Sequence, residues 1–212
     1  MRADGRGRGK TRWARRVVWA AALGALAGCS GGGLHGGALR VVSGFASEAT
    51  PYGQALETYT RGVELYEGVG TLAKGWATWW APELRRAYAE ASVKAYRLDG
   101  EEAAALRRDQ ERAARTVREF HVALYTPQED WNDLEAPDSL WKPFLELPDG
   151  ERLEPVRIVH LPKSDKASVE YPYVTRWTRE YSLFFPLAEG REVHEHLTLV
   201  LSGRLGTLEF RF

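Results

Sequence analysis

The sequence predicts a mixed α+β protein in which helices come first and an antiparallel β region follows. Three observations carry that reading. Apolar residues recur at three- and four-residue spacing between about Pro51 and Arg118. At about Phe120 the period drops to two. From there to Phe212 the chain holds six or seven short alternating segments separated by turn residues, with no helical pattern among them.

In the first part, Leu56, Tyr59, Val63 and Tyr66 share one helical face, and Leu65, Val69, Leu72, Trp76 and Trp80 form a second, displaced stripe. Gly68 and Gly70 stand where the stripes exchange, which predicts a kink or break. Ala81-Pro82-Glu83 restarts a helix, because proline suits a first turn and an acidic side chain suits the N-terminal dipole. Leu84, Tyr88, Ala91, Ala95 and Leu98 then line one face. Asp99-Gly100 is a turn, and Glu101 and Glu102 favour a further helix whose stripe of Leu106, Ala113 and Val117 is thin. Its other faces carry Arg, Glu and Asp, so it should be solvated on most sides. The expectation for residues 51–118 is a helical hairpin or three-helix segment.

In the second part, Phe120, Val122 and Leu124 alternate with His121, Ala123 and Tyr125. Trp141–Leu147 reads as a strand that Pro143 confines to an edge or bulge. Pro148-Asp149-Gly150 is a turn. Val156, Ile158 and His160 mark the next strand, Lys163–Lys166 a polar turn and Ser168–Tyr173 a short strand. Trp177–Phe185 alternates again. Val193, Leu197, Leu199 and Leu201 precede a Ser-Gly turn, and Leu208, Phe210 and Phe212 close the chain. Short strands at such spacing predict an antiparallel, immunoglobulin-like β-sandwich over residues 119–212.

Ahead of both parts, residues 1–16 carry Arg2, Arg6, Arg8, Lys10, Arg12, Arg15 and Arg16 against Asp4 alone. Val17–Gly28 is uncharged. As a helix it would span about 18 Å, short of the ~30 Å hydrocarbon core. A basic segment followed by a short apolar one is the layout of a signal peptide. Leu26-Ala27-Gly28-Cys29 closes it and holds the only cysteine in the sequence. These four residues resemble the lipobox of bacterial lipoproteins. The resemblance implies removal of residues 1–28 after secretory export and lipidation of Cys29. With Ser30 rather than aspartate next to it, it also implies anchoring to the outer membrane. Residues 29–50 would then be the lipidated cysteine and a tether, glycine-rich from Ser30 to Gly37.

Residues 1–28 hold 7 of the 29 Lys and Arg and 1 of the 29 Asp and Glu. The remainder therefore carries 22 basic and 28 acidic side chains, a net charge of −6. No basic patch suited to nucleic acid follows from that balance. The lone cysteine, once lipidated, leaves no disulfide to stabilise the fold.

Candidate sites are few. His194 and His196 share one face of a strand and could chelate a metal with a third ligand such as His160, although two histidines fall short of a full ligand set. The commoner reading is a polar outer face. Asp130, Asn132, Asp133, Glu135 and Asp138 form an oxygen-rich loop without the spacing of an EF-hand, and the same residues simply make turns. Trp76, Trp79 and Trp80 are the densest aromatic cluster. Exposed, they would suit sugars or a protein partner; packed, they fill a core. No nucleophile-elbow, phosphate-loop, dinucleotide or metalloprotease motif occurs. The expectation is a non-enzymatic envelope lipoprotein, without a cofactor, that binds or scaffolds a protein partner. A wall- or glycan-binding module and a metal protein or enzyme centred on His194 and His196 are the alternatives.

Overall fold

The computed structural model describes residues 44–187 and 196–212. Along the chain run α1 (Pro51–Thr58), β1 (Thr60–Glu67), β2 (Gly70–Trp79), α2 (Pro82–Tyr96), α3 (Gly100–Thr116) and β3 (Val117–Tyr125). There follow β4 (Trp141–Glu146), β5 (Arg152–Leu153), β6 (Arg157–Leu161), α4 (Asp165–Glu170), β7 (Arg179–Pro186), β8 (Thr198–Gly203) and β9 (Gly206–Arg211). The fold is mixed α+β, with two antiparallel sheets. One has the order β1-β2-β3-β7-β6 and the other β5-β4-β8-β9.

The sheets share one apolar core. Ala73, Ala77 and Trp79 of β2, Phe120, Val122 and Leu124 of β3 and Tyr181, Leu183 and Phe185 of β7 come from the first. Leu145 of β4, Leu199 and Leu201 of β8 and Leu208 and Phe210 of β9 come from the second. Each fully buried side chain of this size contributes about 1.5–3 kcal/mol relative to an exposed one. The sheets lie so close at Gly75 that a Cβ there would stand 2.7 Å from Cζ of Phe210. Glycine at this point is what lets the ring rest against β2. At the other end of the core Trp141 is buried, and its indole N–H donates to the Trp131 carbonyl at 2.7 Å, which satisfies the one polar atom of the ring.

The helices α2 and α3 begin where the sequence places them. Pro82 opens α2, and the Asp99 carboxylate accepts from the N–H groups of Glu101 and Glu102 at the start of α3. Of the residues in α3 only Ala103 is buried, so the helix is solvated on most sides, but Ala103 lies outside the expected stripe of Leu106, Ala113 and Val117, and Val117 opens β3.

Residues 51–118 are not helical throughout, which corrects the first expectation. Thr60–Glu67 and Gly70–Trp79 are the hairpin β1–β2, with Gly68 at φ 59° in its turn. The reason is local. The register shifts between Leu65 and Tyr66, leaving Leu72 unpaired, and such a bulge breaks a period of two along the strand. On the inward face of β2, Ala73, Gly75 and Ala77 precede Trp79, three residues too small to register as an apolar stripe. With β1 and β2 in one sheet with β3, β7 and β6, the division expected at residues 118/119 falls inside a sheet. A second correction concerns Ser168–Tyr173. That stretch is not a strand: α4 covers its start, capped by the Ser164 hydroxyl accepting from the Lys166 N–H at 3.2 Å. The polar residues taken for a turn are a helix start.

Candidate functional site

The five-stranded sheet has a second face, and α1, α2 and the segment 171–174 cover it. Residues that are cross-strand partners there form a row: Thr60 with Thr78, Thr78 with His121, and His121 with Ser182. Polar side chains on a buried face need partners, since an unpaired one costs about 1–3 kcal/mol. These find them in one another. Oε2 of Glu180 lies 2.9 Å from Nε2 of His121, and Nδ1 of His121 lies 3.0 Å from the Tyr173 hydroxyl. That hydroxyl is 2.6 Å from Oγ1 of Thr78, which is 2.7 Å from Oγ1 of Thr60. The Tyr171 ring stacks on the imidazole at 3.8 Å and 2°. The chain of bonds thus crosses β7, β3, β2 and β1, and the 171–174 segment closes it from above.

Beside it lies a second polar group. Arg85 of α2, 3 % exposed, donates from Nη2 to Oε2 of Glu119 at 2.6 Å, from Nη1 to Oε1 of Gln110 at 3.2 Å and from Nε to the Trp80 carbonyl at 3.1 Å. Its guanidinium also lies 5.2 Å from the centre of the Trp80 ring. The Ser182 hydroxyl donates to the other Glu119 oxygen at 3.4 Å.

Imidazole, carboxylate and phenol are the materials of acid–base chemistry, but here they lack access. His121, Glu180 and Tyr173 are 2 %, 4 % and 5 % exposed. None lines any of the clefts described here. Burial pushes the Tyr173 hydroxyl well above the ordinary tyrosine range, outweighing the opposite effect of its bond to Thr78. A phenol held protonated is a donor and not a base. The row holds strands and cover together.

An opening does lie at the edge of this cover. Phe45, Tyr52, Tyr88 and Trp80 form a run of aromatic contacts: Phe45–Tyr52 at 5.1 Å, Tyr52–Tyr88 at 5.8 Å and Tyr88–Trp80 at 5.1 Å. Burial raises the hydroxyl pKa of both Tyr52 and Tyr88, and nearby Glu170 adds to it. Where the run meets α2, a groove of about 480 Å³ opens between residues 44–52 and the helix. Ala87, Ala91 and Ala95, at four-residue spacing, form its helical wall, with Phe45, Pro51 and Tyr52 opposite and Glu90 and Lys94 on the rim. Three small side chains on one face of α2 leave the room that the groove occupies. A second, shallower cleft on the far side of Phe45 is lined by Tyr96, Val169 and Lys166, and Tyr96 is 60 % exposed.

The residues singled out by sequence are distributed differently. Trp76, Trp79 and Trp80 do not form one cluster, because alternation along β2 sends Trp79 to the opposite face. Trp79 is buried against Tyr59, Phe120 and Phe212. Trp76 is half-buried and stacks on Tyr173 at 6.3 Å and 10°; Trp80 is half-buried against Tyr88. Among the described residues Trp177 is the exposed tryptophan, at 66 %, with the Arg176 guanidinium 4.7 Å from its ring centre. His196 is exposed and precedes β8 at φ 83°, whereas His160 is on β6 of the other sheet. His194 and Cys29 lie outside the described residues.

In the oxygen-rich loop, Asn132 donates to the Leu124 carbonyl at 2.7 Å and accepts from the Tyr181 hydroxyl at 3.0 Å. Asp133 accepts from Ser139 at 2.8 Å, while Asp130, Glu135 and Asp138 are exposed. Among the described residues no three His, Cys, Asp or Glu side chains are grouped to hold a metal ion, and no helix is long and apolar enough to cross a membrane.

Sequence reasoning missed His121, Glu180 and Tyr173 as a unit. The available signal was a polar residue at every second position in strands otherwise fit for a core. Comparisons with known proteins give no matching family model, no matching curated protein and no matching solved structure.

Proposed function

We propose that the chain is a lipid-anchored envelope protein that acts by binding an envelope partner, without catalysis, through the groove beside α2. The observation that carries this is the contrast in access. The groove presents apolar and aromatic walls to solvent, while the groups fit for chemistry are sealed and mutually hydrogen-bonded. A cleft of about 480 Å³ is within the ordinary range for a binding site, roughly 300–1,000 Å³. Apolar walls with Lys94 at the rim suit a short apolar segment of a protein, with an acidic end to pair with that charge.

The lipobox resemblance supports the address. From Cys29 to Gly44 is 15 residues, which reach about 50 Å at most. Gly44, where the described body begins, lines the groove. The two sheets sharing one core support reading the body as a sandwich, the rigid backing for that surface. An immunoglobulin-like plan has no place for the helical pair between β2 and β3, so we keep the sandwich and not the finer likeness.

A photo-activated cross-linker at Ala95, compared with one at Glu209 on β9, tests this in native envelopes. The expected result is a discrete protein adduct from Ala95 and none from Glu209. Equal adducts from both positions, or an adduct only to this chain's own residues 38–43, would overturn the reading. Changing Cys29 to Ala should move the protein out of the membrane fraction; retention there would remove the anchor from the account.

A further inference from the structure

The other side of α2 carries a different kind of opening. α2 and α3 pair as an antiparallel hairpin, Arg85 meeting Gln110 and Glu90 meeting Arg107. Between them lies a cleft of about 440 Å³. Arg85, Arg86, Arg107 and Arg115 bring four guanidinium groups to its walls, against two carboxylates from Glu90 and Glu111. Ala89 and Ala114 leave its middle open.

Two of the four cations are already matched. Arg107 grips Glu90 with two bonds, Nε to Oε1 at 2.7 Å and Nη2 to Oε2 at 2.8 Å. That contact holds the Glu90 carboxyl below its usual range. Arg85 is buried and committed to Glu119. Arg86 from α2 and Arg115 from α3 remain, both exposed, and among the described residues neither makes an ion pair. Glu111 is the one acidic lining group without a partner. The cleft therefore holds an excess of positive charge on a protein whose net charge beyond residue 28 is negative.

Guanidinium forks match oxyanions bidentately. Two forks entering from opposite walls suit a tetrahedral dianion, whose oxygens point both ways, better than a single planar carboxylate. We infer that the cleft between α2 and α3 is a binding site for a terminal phosphate group, of an ester or an anhydride, held by Arg86 and Arg115. The Arg85–Gln110 and Arg107–Glu90 contacts tie α2 to α3 on either side of the cleft, and Arg85–Glu119 ties α2 to β3 beneath it. Glu90 is the one side chain that lines both this cleft and the groove across α2; Arg86 and Arg115 line the cleft and not the groove, so the site is tested independently of the proposed partner binding.

The test is titration of the full chain with pyrophosphate at low salt, followed by NMR shifts of Arg86 and Arg115, repeated in the Arg86→Gln/Arg115→Gln double variant. The control is Lys142→Gln/Arg204→Gln, an equal loss of exposed charge on the second sheet. Saturable shifts are expected in the wild type, with affinity at least tenfold weaker in the double variant and unchanged in the control. Absence of saturation through the millimolar range, or equal weakening in the control, would overturn the site.

Vesicles separate the source of the phosphate. The ratio of binding to phosphatidic acid over phosphatidylcholine vesicles cancels any contribution of a lipid anchor. A ratio above one that falls in the double variant identifies a lipid headgroup, and a ratio near one beside saturable pyrophosphate binding identifies a soluble phosphate ester or anhydride. A high ratio that the double variant leaves unchanged contradicts the cleft as the seat of the charge.

Discussion

The two faces of the five-stranded sheet are built on opposite plans from the same strands. On β3, Phe120, Val122 and Leu124 face the second sheet, while Glu119 and His121 face the helices. On β7, Tyr181, Leu183 and Phe185 face inward, and Glu180 and Ser182 face the helices. Both faces are closed to water, but only the first is apolar. The apolar face is held by burial and is indifferent to the direction of its contacts. On the polar face each group demands a particular partner, so the cover can seat in one way. That difference bears on the open groove beside α2, because the row from Glu180 to Thr60 fixes the 171–174 segment above the sheet, and the Tyr52 hydroxyl, at the groove's wall, donates to the carbonyl of adjacent Glu170 at 3.2 Å.

The largest effects should come from the apolar face. Deleting Thr207–Phe212 removes most of β9, with Leu208 and Phe210, and should abolish the cooperative unfolding transition; an unchanged melt would refute a structural role for the last strand. Phe210→Ala, which empties the space under Gly75, should cost about 3–5 kcal/mol in denaturant unfolding.

A smaller loss is expected from the polar face. Glu180→Ala leaves Nε2 of His121 buried without its partner and should cost about 1–3 kcal/mol. Combined with His121→Ala, the two losses should be clearly non-additive, since the residues share one contact. Simple additivity would mean that the pair does not act as a unit.

The third prediction concerns alkali. Tyr52, Tyr171 and Tyr173 have hydroxyls raised above the ordinary value of 10.0, chiefly by burial. The folded state therefore keeps these protons where the unfolded chain releases them. Stability from this source is complete below pH 10.0 and falls as pH rises beyond it, by about 1.4 kcal/mol per pH unit for each tyrosine. Tyr173→Phe should lower stability at neutral pH by about 1 kcal/mol, yet reduce the steepness of the alkaline loss by one tyrosine's share. An unchanged slope would show that Tyr173 titrates alike in both states.

These two plans also explain what was legible in the sequence. Strands β3, β4, β6, β7, β8 and β9 could be read because large apolar residues alternate along them or bound them. The helices α2 and α3 could be read from Pro82, Asp99 and the spacing of Leu84, Tyr88 and Ala91. The hairpin β1–β2 could not, because most inward residues of β2 are alanine and glycine, the apolar spacing of Leu56, Tyr59, Val63 and Tyr66 imitates a helix, and a bulge at Leu72 disturbs the period. For α4, the start signal is a single Ser164 in a polar stretch.

At the candidate site, the alanine face of α2 was legible as a face, but its exposure depends on how far residues 44–52 reach across it. His121, Tyr173 and Glu180 lie on separate elements, 52 and 59 positions apart, and only the closed fold brings them together. Trp76, Trp79 and Trp80 read as one cluster because they are adjacent in sequence, and alternation divides them.

We propose the groove beside α2 as the working surface of this protein. The most direct measurement is the yield of the Ala95 cross-linked adduct in native envelopes, with and without Ala91→Arg, which fills the groove from its own wall. The account predicts loss of the partner adduct with the unfolding midpoint unchanged. An adduct of undiminished yield in the blocked chain would contradict it.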